Sequence, residues 1–163
     1  MFRQSSLLLA ALAAAPAGAQ LPRHAELDLE AANRLAARAI QTCRSEGRAI
    51  VVAVVDRGGN LVVLQRDDGV GPHNAEASRR KAYTALSTRR PTLTLARDAQ
   101  AVPDTRNLAA LPELLLLGGG VPLLAQKQVV GAIGVAGGGG PMNDHACAQA
   151  AIGAVAELDQ PTP

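Results

Sequence analysis

The chain has 163 residues, with 16 Lys and Arg against 14 Asp and Glu, for a formal net charge of +2. That near-balance excludes a general nucleic-acid or anionic-membrane binder, and one Tyr, one Phe and no Trp exclude a single-strand-binding surface built on stacked rings. The core must come from Leu, Val, Ile and Ala, in a chain whose size fits one domain.

Met1-Phe2-Arg3 is a short basic start, Leu7 to Ala15 is apolar, and Ala17-Gly18-Ala19 is a small-residue cleavage pattern. Residues 1–19 therefore read as a secretory signal peptide, without the twin-arginine pair of the alternative route. Residues 20–163 are expected to form one exported domain, periplasmic or secreted. The apolar run is short of the roughly 20 residues that a bilayer requires, and no later segment is long and apolar, so no membrane span is expected.

Residues 28–46 predict an amphipathic helix, with Leu29, Ala32, Ala36, Ala39, Ile40 and Cys43 recurring at three and four. Ala49 to Val55 and Leu61 to Gln65 predict two strands joined by the turn Asp56-Arg57-Gly58-Gly59-Asn60, a hairpin. Asp67-Asp68-Gly69-Val70-Gly71-Pro72-His73-Asn74 then leads into a helix over about 75–88, with Asn74 as its expected N-cap. Ala75, Ser78, Ala82, Ala85 and Leu86 form the core side of that helix. His73, Glu76, Arg80, Tyr83, Thr84 and Ser87 form the other. Pro91 stops the helix, and residues 92–112 are expected to be irregular around a short helical stretch, Thr105 to Leu111.

Leu114–Leu117, Val121–Ala125 and Val129–Val135 predict three more strands, and Asn143 to about Leu158 a closing helix. The short connections favour antiparallel pairing. The expected fold is α+β: a single-domain sandwich with a five-stranded antiparallel sheet flanked by helices. Cys43 and Cys147 fall on the apolar faces of the first and last helices. Antiparallel neighbouring helices would join them in a disulfide, and parallel ones would leave two buried thiols.

The chemistry-bearing residues are few. The glycine run Gly137–Gly140 precedes a helix, where backbone N–H groups can hold an anion, but neither nucleotide-binding glycine pattern is present. The three histidines are dispersed, which gives a zinc site no local support. A single axial ligand to a tetrapyrrole iron needs one residue; His73 and Tyr83 are candidates on the second helix, His145 and Met142 on the last. His73 stands at a turn near Arg80, a partner for an anionic group. Asp67-Asp68 can serve acid–base chemistry or simply form the turn.

Val54-Val55-Asp56-Arg57-Gly58-Gly59-Asn60-Leu61, Arg66-Asp67-Asp68-Gly69, Arg80-Lys81-Ala82-Tyr83-Thr84-Ala85, Gly119-Gly120-Val121-Pro122, Val130-Gly131-Ala132-Ile133-Gly134-Val135 and Asp144-His145-Ala146-Cys147-Ala148 follow one another in order. This ordered set resembles the GlcG/HbpS-like family of haem-binding proteins, from about Leu29 to Leu158. The resemblance implies a compact sandwich that self-associates, with haem or a related tetrapyrrole as ligand. Asp56, Arg66, Asp68, Gly69, Lys81, Gly120, Pro122, Gly134 and Asp144 occupy the family's characteristic positions. Two positions depart from the pattern: Gly134-Val135-Ala136-Gly137 lacks the serine of G-V-S-G, and Asn74 stands where Ser or Thr is common.

The resulting expectation is an exported homo-oligomer that binds haem, with His73 as iron ligand, Arg80 and Lys81 on the propionates, and Tyr83 and Asp68 beside them. Because aromatic residues are so scarce, the macrocycle would lie on an aliphatic surface or at a subunit interface. One alternative is an enzyme acting on a small organic acid through the same basic groups, with Asp68 or His73 moving a proton. The other is an oligomeric sensory or structural partner without a ligand.

Overall fold

The structure, a computed structural model, describes Leu21 and residues 23–160; the expected signal peptide lies outside them. Helix α1 (Leu29–Ser45) is followed by strands β1 (Val51–Asp56) and β2 (Leu61–Arg66), then helices α2 (His73–Thr88), α3 (Thr92–Ala101) and α4 (Pro103–Arg106). A 3-10 turn, Asn107–Ala110, leads to β3 (Gly120–Ala125), β4 (Gln128–Ala136) and the closing helix α5 (Pro141–Ile152). The strands form one antiparallel sheet in the order β2-β1-β4-β3.

Alternation along β1 divides the core into two layers. Val52 and Val54 pack with Ile133 and Val135 against Leu35, Ala36 and Ala39 of α1 and Ala148 and Ala151 of α5. Val55 and Ala132 point the other way, against Ala82 and Ala85 of α2. The chain is thus α+β, with one sheet between helices. Cys43 and Cys147 are disulfide-bonded across the α1–α5 contact, with Cα atoms 5.8 Å apart. Such a crosslink typically contributes about 2–4 kcal/mol.

The expected hairpin is present, with Val54 opposite Val63. Helix α1 has its cap in Asp28, whose carboxylate accepts from the Ala31 amide at 2.7 Å. Its buried stripe includes Leu35 in place of Leu29, which is 60% exposed at the first helical position.

The sheet has four strands rather than five. Leu114–Leu117 carries its polar backbone groups to helices instead of to a strand. Arg80 donates to the Leu114 carbonyl at 2.6 Å, the Leu115 amide donates to Thr84 Oγ1 at 2.8 Å, and Thr92 Oγ1 donates to the Leu117 carbonyl at 2.8 Å. The same contacts explain why Thr84 is buried and not on the outward face of α2.

Residues 92–101 are helical, not irregular, because Pro91 and Pro103 flank a helix whose Leu93 and Leu95 reach the core. Asn74 is not the N-cap of α2. Pro72 already has helical dihedrals, the helix starts at His73, and the Asn74 side chain donates back to the Gly71 carbonyl at 3.1 Å. Helix α5 ends earlier than expected, at Ile152, while Val155 and Leu158 stay buried from the turns beyond Gly153.

Candidate functional site

Helix α2 lies on bare backbone. A Cβ on Gly134 would come within 2.0 Å of the Ser78 carbonyl, and one on Gly120 within 2.2 Å of the Lys81 carbonyl. Glycine at these sheet positions is what lets the helix approach so closely. The approach carries Lys81 into the interior, where its ammonium meets Asp144 Oδ2 at 2.7 Å and the Val135 carbonyl at 2.9 Å. The second Asp144 oxygen accepts from the Gly138 amide at 2.8 Å. Lys81 is 1% and Asp144 4% exposed.

Burial pushes the Lys81 ammonium below its ordinary range, and the neighbouring Asp144 carboxylate opposes that shift. Lys81 does neutralise a carboxylate, but it is the chain's own. The glycine loop before α5 likewise holds an anion, and that anion is also Asp144.

The other residues singled out from the sequence lie in different surroundings. His73, the first residue of α2, is exposed, with its ring over Gly71. Asp68 is exposed in the preceding turn, and its amide donates to Asp67 Oδ1 at 2.9 Å. Asp67 is the structural member of the pair, held by two Arg44 nitrogens at 2.9 and 2.5 Å. That guanidinium keeps the Asp67 carboxyl below the usual range, against the effect of its burial. Arg80 is half-buried and binds the Leu114 carbonyl, while its Nε is buried without a partner.

On α5, Met142 is exposed, and its sulfur accepts from Arg97 at 3.2 Å. His145 is half-buried, and burial, with a smaller contribution from Arg97, lowers its pKa below the ordinary imidazole value. Among the described residues no three His, Cys, Asp or Glu side chains converge on a metal position.

Tyr83 faces a groove of about 760 Å³ between the end of α2, the β1–β2 turn and the β3–β4 hairpin. Its ring lies on the backbone of Gly59, where a Cβ would come within 3.1 Å of Tyr83 Cε2. Leu86, Leu124 and Val129 supply apolar lining, Arg57, Arg89 and Lys127 supply cations, and His24 also lines the groove. The groove thus combines aliphatic and cationic side chains in one lining.

A second, smaller concavity of about 430 Å³ lies at the other end of α2, lined by Gly69, Val70, Gly71 and Asn74, by Gly137–Gly139, and by Arg48 and Asn143. It has one cation and little apolar surface. Helix α2 therefore separates the expected set. Asp68 and His73 stand near the glycine concavity, Arg80 and Lys81 serve internal contacts, and Tyr83 alone lines the larger groove.

Sequence reasoning missed Arg57, Arg89, Lys127 and His24. Two of them left a trace: a lysine in a hairpin loop where Asn-Gly is usual, and an arginine directly after a helix where glycine is usual.

The family model described as haem degrading protein HbpS-like matches residues 27–153. The chain belongs to this family. HbpS of Streptomyces reticuli, solved as a double mutant, is 39% identical, with a TM-score of 0.77 over 88% of this chain and 97% of that one. GlcG of Escherichia coli K12 is 33% identical over 110 residues, which is 67% of this chain and 80% of GlcG. The PduOC:haem complex, 23% identical, shares the fold, with a TM-score of 0.76 over 85% of this chain and 100% of that one. No described helix is long and apolar enough to cross a membrane.

Removing one member of a buried ion pair strands the other, at a cost of about 3–5 kcal/mol. Lys81→Met and Asp144→Asn are each expected to lower the thermal midpoint steeply. The double variant should lose clearly less than the sum of the two. Additive losses in a thermal double-mutant cycle would show that the two groups do not act as a pair.

Proposed function

We propose that the protein binds haem or a related tetrapyrrole in the groove beside Tyr83. Membership of the HbpS-like family supports the ligand class. The observation that carries the location is one groove lined by a phenol, three aliphatic side chains and three cations.

The residues fit the group. Tyrosine and histidine are both known axial ligands of haem iron, so Tyr83 is the proposed ligand, with His24 in the same lining. Leu86, Leu124 and Val129 would bear the macrocycle, and Arg57, Arg89 and Lys127 would face its propionates. Bound haem would supply an iron centre for small ligands or electron transfer; the chain's own residues bind, orient and shield it.

His73 is the competing ligand, in the smaller glycine-lined end of α2. Ten residues of helix put it about 15 Å from Tyr83 along the axis, too far for one iron to engage both. Lys81 is left out of the propionate role because Asp144 already occupies it.

Export is supported by the leader pattern of residues 1–19 and by the Cys43–Cys147 bridge, which persists in oxidising compartments. Self-association is supported by Leu61 and Leu64, 47% and 43% exposed on the edge strand β2. Cell fractionation should find the processed chain outside the cytoplasm, and sedimentation should give more than one subunit. A cytoplasmic chain retaining residues 1–19, or a monomer at micromolar concentration, would contradict the respective proposal.

Haem titration tests the main reading. Wild-type protein is expected to shift the Soret band, Tyr83→Phe to weaken binding at least about tenfold and alter the spectrum, and His73→Ala to leave both unchanged. No shift with wild type sinks the tetrapyrrole reading. A spectrum untouched by Tyr83→Phe but lost in His73→Ala moves the site to the start of α2.

A further inference from the structure

A residue with a Cβ adopts positive φ only under strain, so glycine or asparagine is its usual occupant. Among the described residues three non-glycines do so: Arg89 at 54°, Gln126 at 51° and Lys127 at 63°. Arg89 follows the last residue of α2, where glycine is the common choice. Gln126 and Lys127 are the two-residue loop between β3 and β4, where two positive φ values favour Asn-Gly. Two of the three strained residues are therefore cations, they come from unrelated turns, and both line the Tyr83 groove.

The surroundings hold these backbones in place and leave the charges uncommitted. The Gln126 and Lys127 amides donate to the two Asp159 carboxylate oxygens at 3.1 and 2.6 Å, and the Asp159 amide donates to the Leu124 carbonyl at 2.8 Å. The Arg89 amide donates to the Leu86 carbonyl at 3.3 Å. Neither the Arg89 nor the Lys127 side chain forms an ion pair among the described residues. Strained backbone persists where its surroundings over-determine it and tends to cluster at ligand sites.

We propose that Arg89 and Lys127 form a two-point clamp for a ligand with two anionic arms, occupying glycine conformations for the sake of the ligand and not of the fold. The identity of that ligand as a tetrapyrrole dicarboxylate rests on the functional reading above; the clamp requires only paired carboxylates. Stability and affinity then oppose each other at both positions. Glycine there relieves the strain and removes a charge-assisted contact.

Arg89→Gly, Lys127→Gly and the double variant of the full chain are compared with wild type in three measurements: thermal midpoint with and without citrate, haemin binding, and binding of haemin dimethyl ester, which lacks the charges. Each glycine is expected to raise the midpoint by about 2–4 °C and to weaken haemin binding about tenfold. Affinity for the diester should be the same in all four proteins.

Unchanged haemin affinity in the double variant, or a lower midpoint with glycine, overturns the clamp while wild-type haemin binding upholds the tetrapyrrole reading. If wild type ignores haemin, yet citrate raises the midpoint of wild type and not of the double variant, the clamp stands and the tetrapyrrole reading falls. A wild type indifferent to both ligands overturns the clamp as well.

Discussion

The buried pairing of Lys81 with Asp144 joins three parts of the fold that are distant in sequence. Lys81 belongs to α2 and also reaches the β4 carbonyl of Val135, while Asp144 belongs to α5 and receives the Gly138 amide. The pair is possible only because Gly120 and Gly134 leave room for α2 on the sheet, and Gly119 leaves room for the ammonium: a Cβ there would lie 3.1 Å from Lys81 Nζ. Desolvation makes such a pair costly to assemble and more costly to break. The pair's geometry specifies where α2 sits on the sheet and which face it turns inward. Two residues further along, about 200° around the helix, Tyr83 is held against Gly59 at the groove.

This arrangement reconciles the proposed basic ligand site with a domain almost devoid of aromatic rings. The groove is built from ends and turns: the last turn of α2, the β1–β2 turn and the β3–β4 loop. Leu86, Leu124 and Val129 are its aliphatic lining, and its cations stand on turns whose backbone is secured by other contacts, such as Asp159 with the Lys127 amide. The buried charges of Lys81 and Asp144, which would be costly to strand, satisfy one another inside. The groups available to a ligand stand outside.

Much of the fold was legible in the sequence because local patterns decided it. Short continuous apolar runs on either side of the turn residues Asp56–Asn60 specify the hairpin, and three-four spacing specifies α1 and most of α2. Leu114–Leu117 was misread because an apolar run bounded by Gly looks like a strand; its hydrogen bonds to Arg80, Thr84 and Thr92 are tertiary and leave no periodicity. The disulfide remained one of two alternatives until the antiparallel packing of α1 and α5 placed the two cysteines together. The site was legible as a helix but not as a surface. In the sequence Lys81 reads as a ligand cation because its partner lies 63 residues away. Arg57 reads as a turn residue, and Arg89 and Lys127 carry no signal of a shared site, because only the fold brings their turns to one groove.

The proposed ligand site lies at the Tyr83 end of α2 and not at the His73 end. Amide hydrogen exchange of the full chain, with and without haemin, reads this directly. A ligand in the Tyr83 groove is expected to give new protection from Tyr83 to Arg89, over the last two turns of α2, and in the loop Gln126–Val129, with Gly69–Asn74 unchanged. Protection confined to Gly69–Asn74 and Gly137–Asn143 would contradict it.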